Sequence, residues 1–282
     1  MAPFWTAQLI LAVGLNFIVQ AIQIGAYAAR LAGVQTGRIA TAISLFNLFV
    51  LASRLANLAY APMLGTISDR AAHAARDPHL AAAAIGQFDW QLRAIVFAGT
   101  LGTALGGFLL PTFLMLFVRG IGAFERLHSV PRAVLRLADP RVFFGVLRSV
   151  RFPSPRVLGT FSLSHVPKGF LVGNVIVTGI YAIGVVASVY ASILQPDIAR
   201  TSVLLSGIVN GIATVAFTFI VDPTSAYITD QAVKGERTIG EVRSMVFYLA
   251  LTAVVGTLLS QAILYPAAVF IGGVAHLVNH LR

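Results

Sequence analysis

Long apolar runs constrain this chain more than any other feature. A helix that crosses a bilayer needs roughly 20 mostly apolar residues. Runs of that kind occupy Phe4 to Ala29, Ile39 to Ala61, Ala94 to Val118, Gly169 to Leu194, Thr201 to Val221, and Val242 to Ala275. None alternates with period two, so the pattern is that of helices and not of a barrel. The expected fold is all-α and polytopic, with about six transmembrane helices. The last run is the longest and contains Pro266, where a kink or break is expected. Composition agrees. Of 282 residues, 57% are hydrophobic and only 11% charged, well below the roughly 25% of soluble domains. The chain is a multi-pass cell-membrane protein on this reading, with its first span retained as part of the structure. There is no cysteine, which removes disulfide and thiol chemistry.

The net charge of +10 reflects 18 Arg against 2 Lys. These cations flank the apolar runs, which points to topology and to anionic membrane lipids, with no nucleic-acid partner. Fourteen of the 20 basic residues fall in the connections 30–38, 119–168 and 222–243. The positive-inside rule puts those in the cytoplasm and both termini outside. The segment 119–168 interleaves Arg with Leu, Val and Phe, as in "AVLRLADPRVFFGVLRSVRF", which suits interfacial amphipathic helices, an ordinary basic loop being the alternative. Residues 30–38 and 195–200 read as tight turns. In the 62–93 connection, Asp77 followed by Pro78 reads as a helix N-cap.

The two ends of the chain resemble each other. "YAARLAGVQTGR", Asn47 and "PMLGTISD" are followed in the second half by "YASILQPDIAR", Asn210 and "PTSAYITD". Upstream, "NFIVQAI" matches "NVIVTGI". Three spans per half force the halves into opposite orientations, an inverted 3+3 repeat of the kind found in transporters, with the substrate site at the repeat interface. The expected units are 1–118, 119–168 and 169–282.

Polar residues at helical spacing form seams. Asn16, Gln20, Gln23, Tyr27 and Arg30 share one stripe; Ser44, Asn47, Arg54 and Asn57 share another. A third holds Asn174, Thr178 and Tyr181, and a fourth Ser206, Asn210, Thr214 and Thr218. Polar groups facing lipid are costly, so the seams should point inward. An Arg at a helix centre costs roughly 2.5–3.5 kcal/mol to insert. Arg54 has no carboxylate inside its own span, although it lies near enough to one end to snorkel. Such a guanidinium suits a phosphate arriving from outside the protein. Asp69, Asp222 and Asp230 end spans, where gating or capping is expected of them. The histidines form no pattern that holds a metal, and no nucleotide-binding motif or cofactor site is present.

The stretch "ARLAGVQTGRIATAISLFNLFVLASRLANLAYAPMLGTISD", residues 29–69, resembles the signature region of the Amj family of alternate lipid II flippases, distinct in sequence from MurJ; the resemblance extends more loosely to "DPTSAYITDQAVKG" at 222–235. It implies translocation of undecaprenyl-pyrophosphate-linked peptidoglycan precursor from the inner to the outer leaflet of the bacterial cytoplasmic membrane, by a protein that is not an enzyme. On that expectation Arg30, Arg38 and Arg54 hold the pyrophosphate, while Asn16, Gln20, Gln23, Asn47, Asn57 and Asn210 line the headgroup path. Two other readings stay open. One is an intramembrane phosphatase acting on polyprenyl phosphates, with Ser53, His165 or the Asp-ended motifs as its reactive groups. The other is a membrane scaffold for envelope assembly. Energy source and oligomeric state are left open.

Overall fold

The apolar runs become long helices, and those helices end or bend where Gly and Pro interrupt them. The structure, a computed structural model, describes residues 3–127, 150, 159 and 161–280, without the side chains of Ala52 and Arg54. All its regular elements are helical, with no strand among the described residues. Thr6 caps α1 (Ala7–Gly25) by accepting the Leu9 N–H at 3.3 Å, and α2 (Ala28–Thr36) continues the same crossing. Gly37 then adopts the left-handed conformation at φ 67°, and the Arg38 and Gly37 N–H groups close on the Gly33 and Val34 carbonyls. That is a Schellman end, which glycine reaches at no Cβ penalty.

α3 spans Ile39–Ala74, α4 Ala81–Phe108 and α5 Leu110–Leu127. α6 covers Lys168–Leu194. A 3₁₀ turn at Pro196–Ile198 leads into α7 (Ala199–Leu204) and α8 (Ser206–Ala216). A π turn at Phe217–Val221 joins α8 to α9 (Asp222–Val233). α10 runs unbroken from Ile239 to His280 with Pro266 inside it, so of the expected kink or break the break is absent. Five helical stretches are long and apolar enough to cross a membrane, six if the bent α4–α5 pair counts as one.

Several sequence expectations need correction. The run Ala94 to Val118 is not one helix: α4 and α5 meet at an angle of 63°. Pro111 sits in the first turn of α5, where a ring without an N–H cannot continue the preceding helix. Residues 30–38 are not a tight turn, because α2 continues to Thr36 and carries Arg30 within it. Asp77 makes the bonds expected of an N-cap, its side chain accepting the His79 N–H and its carbonyl the Ala81 N–H, each at 2.9 Å, but regular α4 starts only at Ala81. The 62–93 connection is largely helical, so Asp89 and Arg93 lie inside α4. The basic segment "AVLRLADPRVFFGVLRSVRF" falls, Val150 apart, outside the described residues.

Packing sets the helix directions. Gln91 of α4 donates to the Phe4 carbonyl and Asn16 of α1 to the Ile95 carbonyl, so α1 and α4 run parallel. Gly102 and Gly106 let them touch, since a Cβ on either would meet the backbone of Phe17 or Ala21. α6 and α10 repeat this arrangement. Asn174 donates to the Leu249 carbonyl at 2.9 Å, and a Cβ on Gly256 would meet the Val175 carbonyl. α4 and α10 run antiparallel, with Arg93 beside Gln261 and Gly107 facing Ala250. α3 and the 196–233 stretch are the least buried crossings and lie on the flanks.

Candidate functional site

A cavity of about 290 Å³ lies at the centre of the bundle, walled by α1, α2's N-terminal Tyr27, α3, α4, α6, α8, the π turn, α9 and α10. Part of its polar wall comes from two similarly spaced sets of residues. Gln20 and Gln23 stand four and seven residues after Asn16; Thr178 and Tyr181 stand four and seven after Asn174. Thr103 follows Gly102, and Thr257 follows Gly256. Both asparagines sit outside the wall and clamp their own α1–α4 or α6–α10 pair, which holds the following polar turns in place. Asn174 does more, donating also to Thr252 Oγ1 at 2.8 Å and accepting the Tyr27 hydroxyl at 3.3 Å.

The cavity hydroxyls differ in what they can offer a ligand. Thr103, Thr178, Thr214, Thr218 and Thr257 each donate to a carbonyl one turn back, and so retain only acceptor capacity. Ser53 is 1% exposed and its Oγ has no hydrogen-bond partner among the described residues. It lines the cavity, as do Gln20, Gln23 and Asn47. Phe46, Val50, Val177 and Phe217 supply apolar walls between these groups.

One end of the cavity is charged. Arg30 of α2 forms an ion pair with Asp222 of α9, and Asp222 lines the cavity. The π turn explains how Asp222 reaches it. An α-helix advances about 100° per residue, so a residue eight positions after Thr214 would drift by about 80° from its face. The wider π turn takes back most of that drift, and Thr214, Thr218 and Asp222 share the wall.

The remaining sequence-predicted residues are elsewhere. Asn16 is buried in its clamp. Asn57 is half-buried on α3, away from the wall. Asn210 packs its side-chain oxygen against Gly184 of α6. Arg38 is exposed and pairs with Glu125 at 2.7 Å, outside the cavity. Asp69 and Asp230 are exposed within α3 and α9, and neither side chain caps a helix start. The backbone of Arg54 belongs to α3, one residue past Ser53; its side chain is not among those described. Thr103 and Thr257 escaped the sequence reading, although both directly follow a packing glycine. A second charged group also escaped it. Arg93 donates from Nε to Asp89 at 2.8 Å and from a terminal nitrogen to the Gln261 carbonyl, and Gln261 donates back to the Arg93 carbonyl. This cross-link ties α4 to α10 and lies away from the cavity.

Comparison with known proteins gives the family. The profile of the Amj family, described as "Alternate to MurJ", matches residues 15–275. A curated relative, "Lipid II flippase Amj" of Bacillus subtilis (strain 168), is 35% identical over 260 residues, covering 90% of this chain and 91% of its own length. No solved structure matches. Coverage of both chains is nearly complete, with the Asn16, Asn174 and Asp222 motifs inside the matched range, and the protein is therefore a member of the Amj family.

Proposed function

We propose that this protein is a lipid II flippase, moving undecaprenyl-pyrophosphate-linked disaccharide-pentapeptide from the inner to the outer leaflet of the cytoplasmic membrane. The observation that carries the reading is the cavity wall, where the buried, partnerless Ser53 hydroxyl and the side chains of Gln20, Gln23 and Asn47 face a space between two antiparallel sets of helices. Buried polar groups without partners are costly, and a polar ligand that bonds them removes that cost. The name of the Bacillus subtilis relative supports the same assignment. An inverted repeat of 1–118 and 169–282 fits the parallel α1–α4 and α6–α10 pairs and the antiparallel α4–α10 contact.

Drug-sized ligands fill pockets of about 300–1,000 Å³. A cavity of about 290 Å³ is at the small end of that range and too small for the whole headgroup. The conformation therefore fits an unloaded transporter, and rocking of the two halves would widen the space and turn it toward either leaflet. The lightly buried α3 and α8–α9 stretches flank the cavity, a natural place for the lipid tail to remain in the bilayer. The basic segment 119–168 would concentrate anionic lipid at the cytoplasmic entrance.

The phosphatase alternative is weaker. An activated serine needs a base within hydrogen-bond reach, and Ser53 Oγ has no partner among the described residues. His165 lies on the exposed segment before α6, off the cavity wall. The test is reconstitution in liposomes with labelled lipid II, scoring exposure in each leaflet and released phosphate. Exchange of Gln20 and Gln23 together for Leu should leave a folded protein that no longer flips. Normal flipping by that variant would reject the cavity as the path, and phosphate release by the wild type would favour the enzyme.

A further inference from the structure

We infer that Asp222 is a built-in stand-in for the substrate's diphosphate: its carboxylate occupies the Arg30 guanidinium in the empty protein and is displaced when the lipid diphosphate binds. The inference rests on reading the cavity as the substrate site.

The local geometry makes Arg30 a poor choice for a permanent strut and a good one for an exchangeable site. Its side chain is 15% exposed while the Asp222 side chain is 39% exposed, so the cation is the recessed partner and the carboxylate lies toward open space. Asp222 also lines the cavity, so an incoming anion reaches the pair from the carboxylate side. A guanidinium binds carboxylate and phosphate through the same planar fork. The rest of the cavity wall is amide, hydroxyl and apolar. Arg38, another cation assigned to the diphosphate, is outside it and paired with Glu125. The Arg30–Asp222 end is therefore where the described wall can take a doubly charged group, with the sugar hydroxyls and peptide groups left for the amides.

The pair is also asymmetric between the two halves. The position matching Asp222, one residue before the Pro of the repeated motif, is Ala61 in the first half. Only one end of the cavity has this carboxylate among the described residues. The pair bridges α2 and α9, one element from each half. Two features beside Asp222 loosen its seat: the π turn before it and Pro223 after it, which leaves one backbone hydrogen bond unmade. Diphosphate binding at Arg30 releases Asp222, removes the tie between α2 and α9, and frees the halves to move. An empty transporter keeps the tie, which limits movement of the halves without cargo.

A permanent strut and an exchangeable stand-in predict opposite signs. The chain has no cysteine, so Asp222→Cys places a single thiol whose charge is set chemically. Purified Asp222→Cys protein is titrated with a polyprenyl diphosphate, before and after modification with an anionic (sulfonate) or a cationic (ammonium) methanethiosulfonate reagent. The expected result is at least about fivefold tighter binding than wild type for the unmodified variant, with wild-type affinity restored by the sulfonate adduct alone. Asp222→Asn should behave like the unmodified thiol, and Arg30→Ala should lose diphosphate binding in either background. Unchanged or weaker binding in Asp222→Cys and Asp222→Asn would overturn the inference and leave the pair a strut. A separate arm tests the cavity as substrate site independently of the ion pair. In a Ser53→Cys protein with Asp222 intact, lipid II should block thiol labelling. Blocked labelling together with a failed Asp222 arm sinks the stand-in alone; unblocked labelling sinks the cavity as substrate site.

Discussion

Replacing Gly102 by Ala tests the contact that places the cavity's first wall. An ideal Cβ on Gly102 would press on the Phe17 carbonyl oxygen and come within 2.8 Å of its carbon and 3.0 Å of its Cα. All three are backbone atoms, so no side chain can turn aside and α1 must retreat from α4. Overpacking of this kind costs about 1–3 kcal/mol. The retreat also strains the Asn16 bond to the Ile95 carbonyl, 2.8 Å long, and interhelical bonds in membranes contribute about 0.6–1.7 kcal/mol. The combined loss is about 2–4 kcal/mol, which corresponds to a fall of about 5–15 °C in apparent melting temperature. Gly256→Ala should fall by a similar amount, because its Cβ would meet the Val175 carbonyl and Thr178 Oγ1. Gly14→Ala is the control: nothing lies within 4 Å of its Cβ, and removing a helix-interior glycine should gain about 0.5–1 kcal/mol. Thermal challenge in detergent followed by size-exclusion chromatography reads all three. A Gly102→Ala protein that melts within about 2 °C of wild type, or a Gly14→Ala protein that is equally damaged, would refute the packing argument.

Three further outcomes follow from the same geometry. Asn174→Ala should cost about 2 kcal/mol in the same melting assay and Asn16→Ala only about 0.6–1, because Asn174 holds Leu249, Thr252 and Tyr27 while Asn16 holds Ile95 alone; equal losses would contradict it. Arg38→Ala should change stability by no more than about 1 kcal/mol, since its pair with Glu125 is solvent-exposed on both sides, and diphosphate binding should be unaffected; a lost binding isotherm would return Arg38 to the site. Exchanging Gln261 for Leu should weaken the α4–α10 tie by removing the bond to the Arg93 carbonyl, lowering melting by a few degrees without altering lipid II protection of a Ser53→Cys thiol; a changed labelling pattern would mean that this cross-link shapes the cavity.

Much of the architecture is legible as run length, because a bilayer imposes its thickness on any helix that crosses it. The failures have local causes. Pro111 sits inside an apolar run and is outweighed there by its neighbours, yet a missing N–H acts on geometry and not on hydropathy, and α4 and α5 separate at that point. Asp89 and Arg93 resemble loop residues because charge lowers average hydropathy; paired with each other and with Gln261, they sit within helix α4. Of the predicted seam, Gln20, Gln23 and Asn47 reach the cavity, Arg30 is joined to it only through its ion pair with Asp222, and Asn16 does not reach it.

Sequence periodicity by itself determined the class of fold and the polar stripes, since each depends on spacing along one chain. Only tertiary structure decided which members of a stripe line the cavity and which hold helices together. Asn16 and Gln20 share a face four residues apart and both lie against α4, but the Asn16 amide is taken up by the Ile95 carbonyl of that helix while Gln20 also lines the cavity. That difference rests on a contact between chain segments some eighty residues apart. The same holds for Asp222, whose place on the wall depends on a π turn set by packing. Composition and spacing carry no record of either.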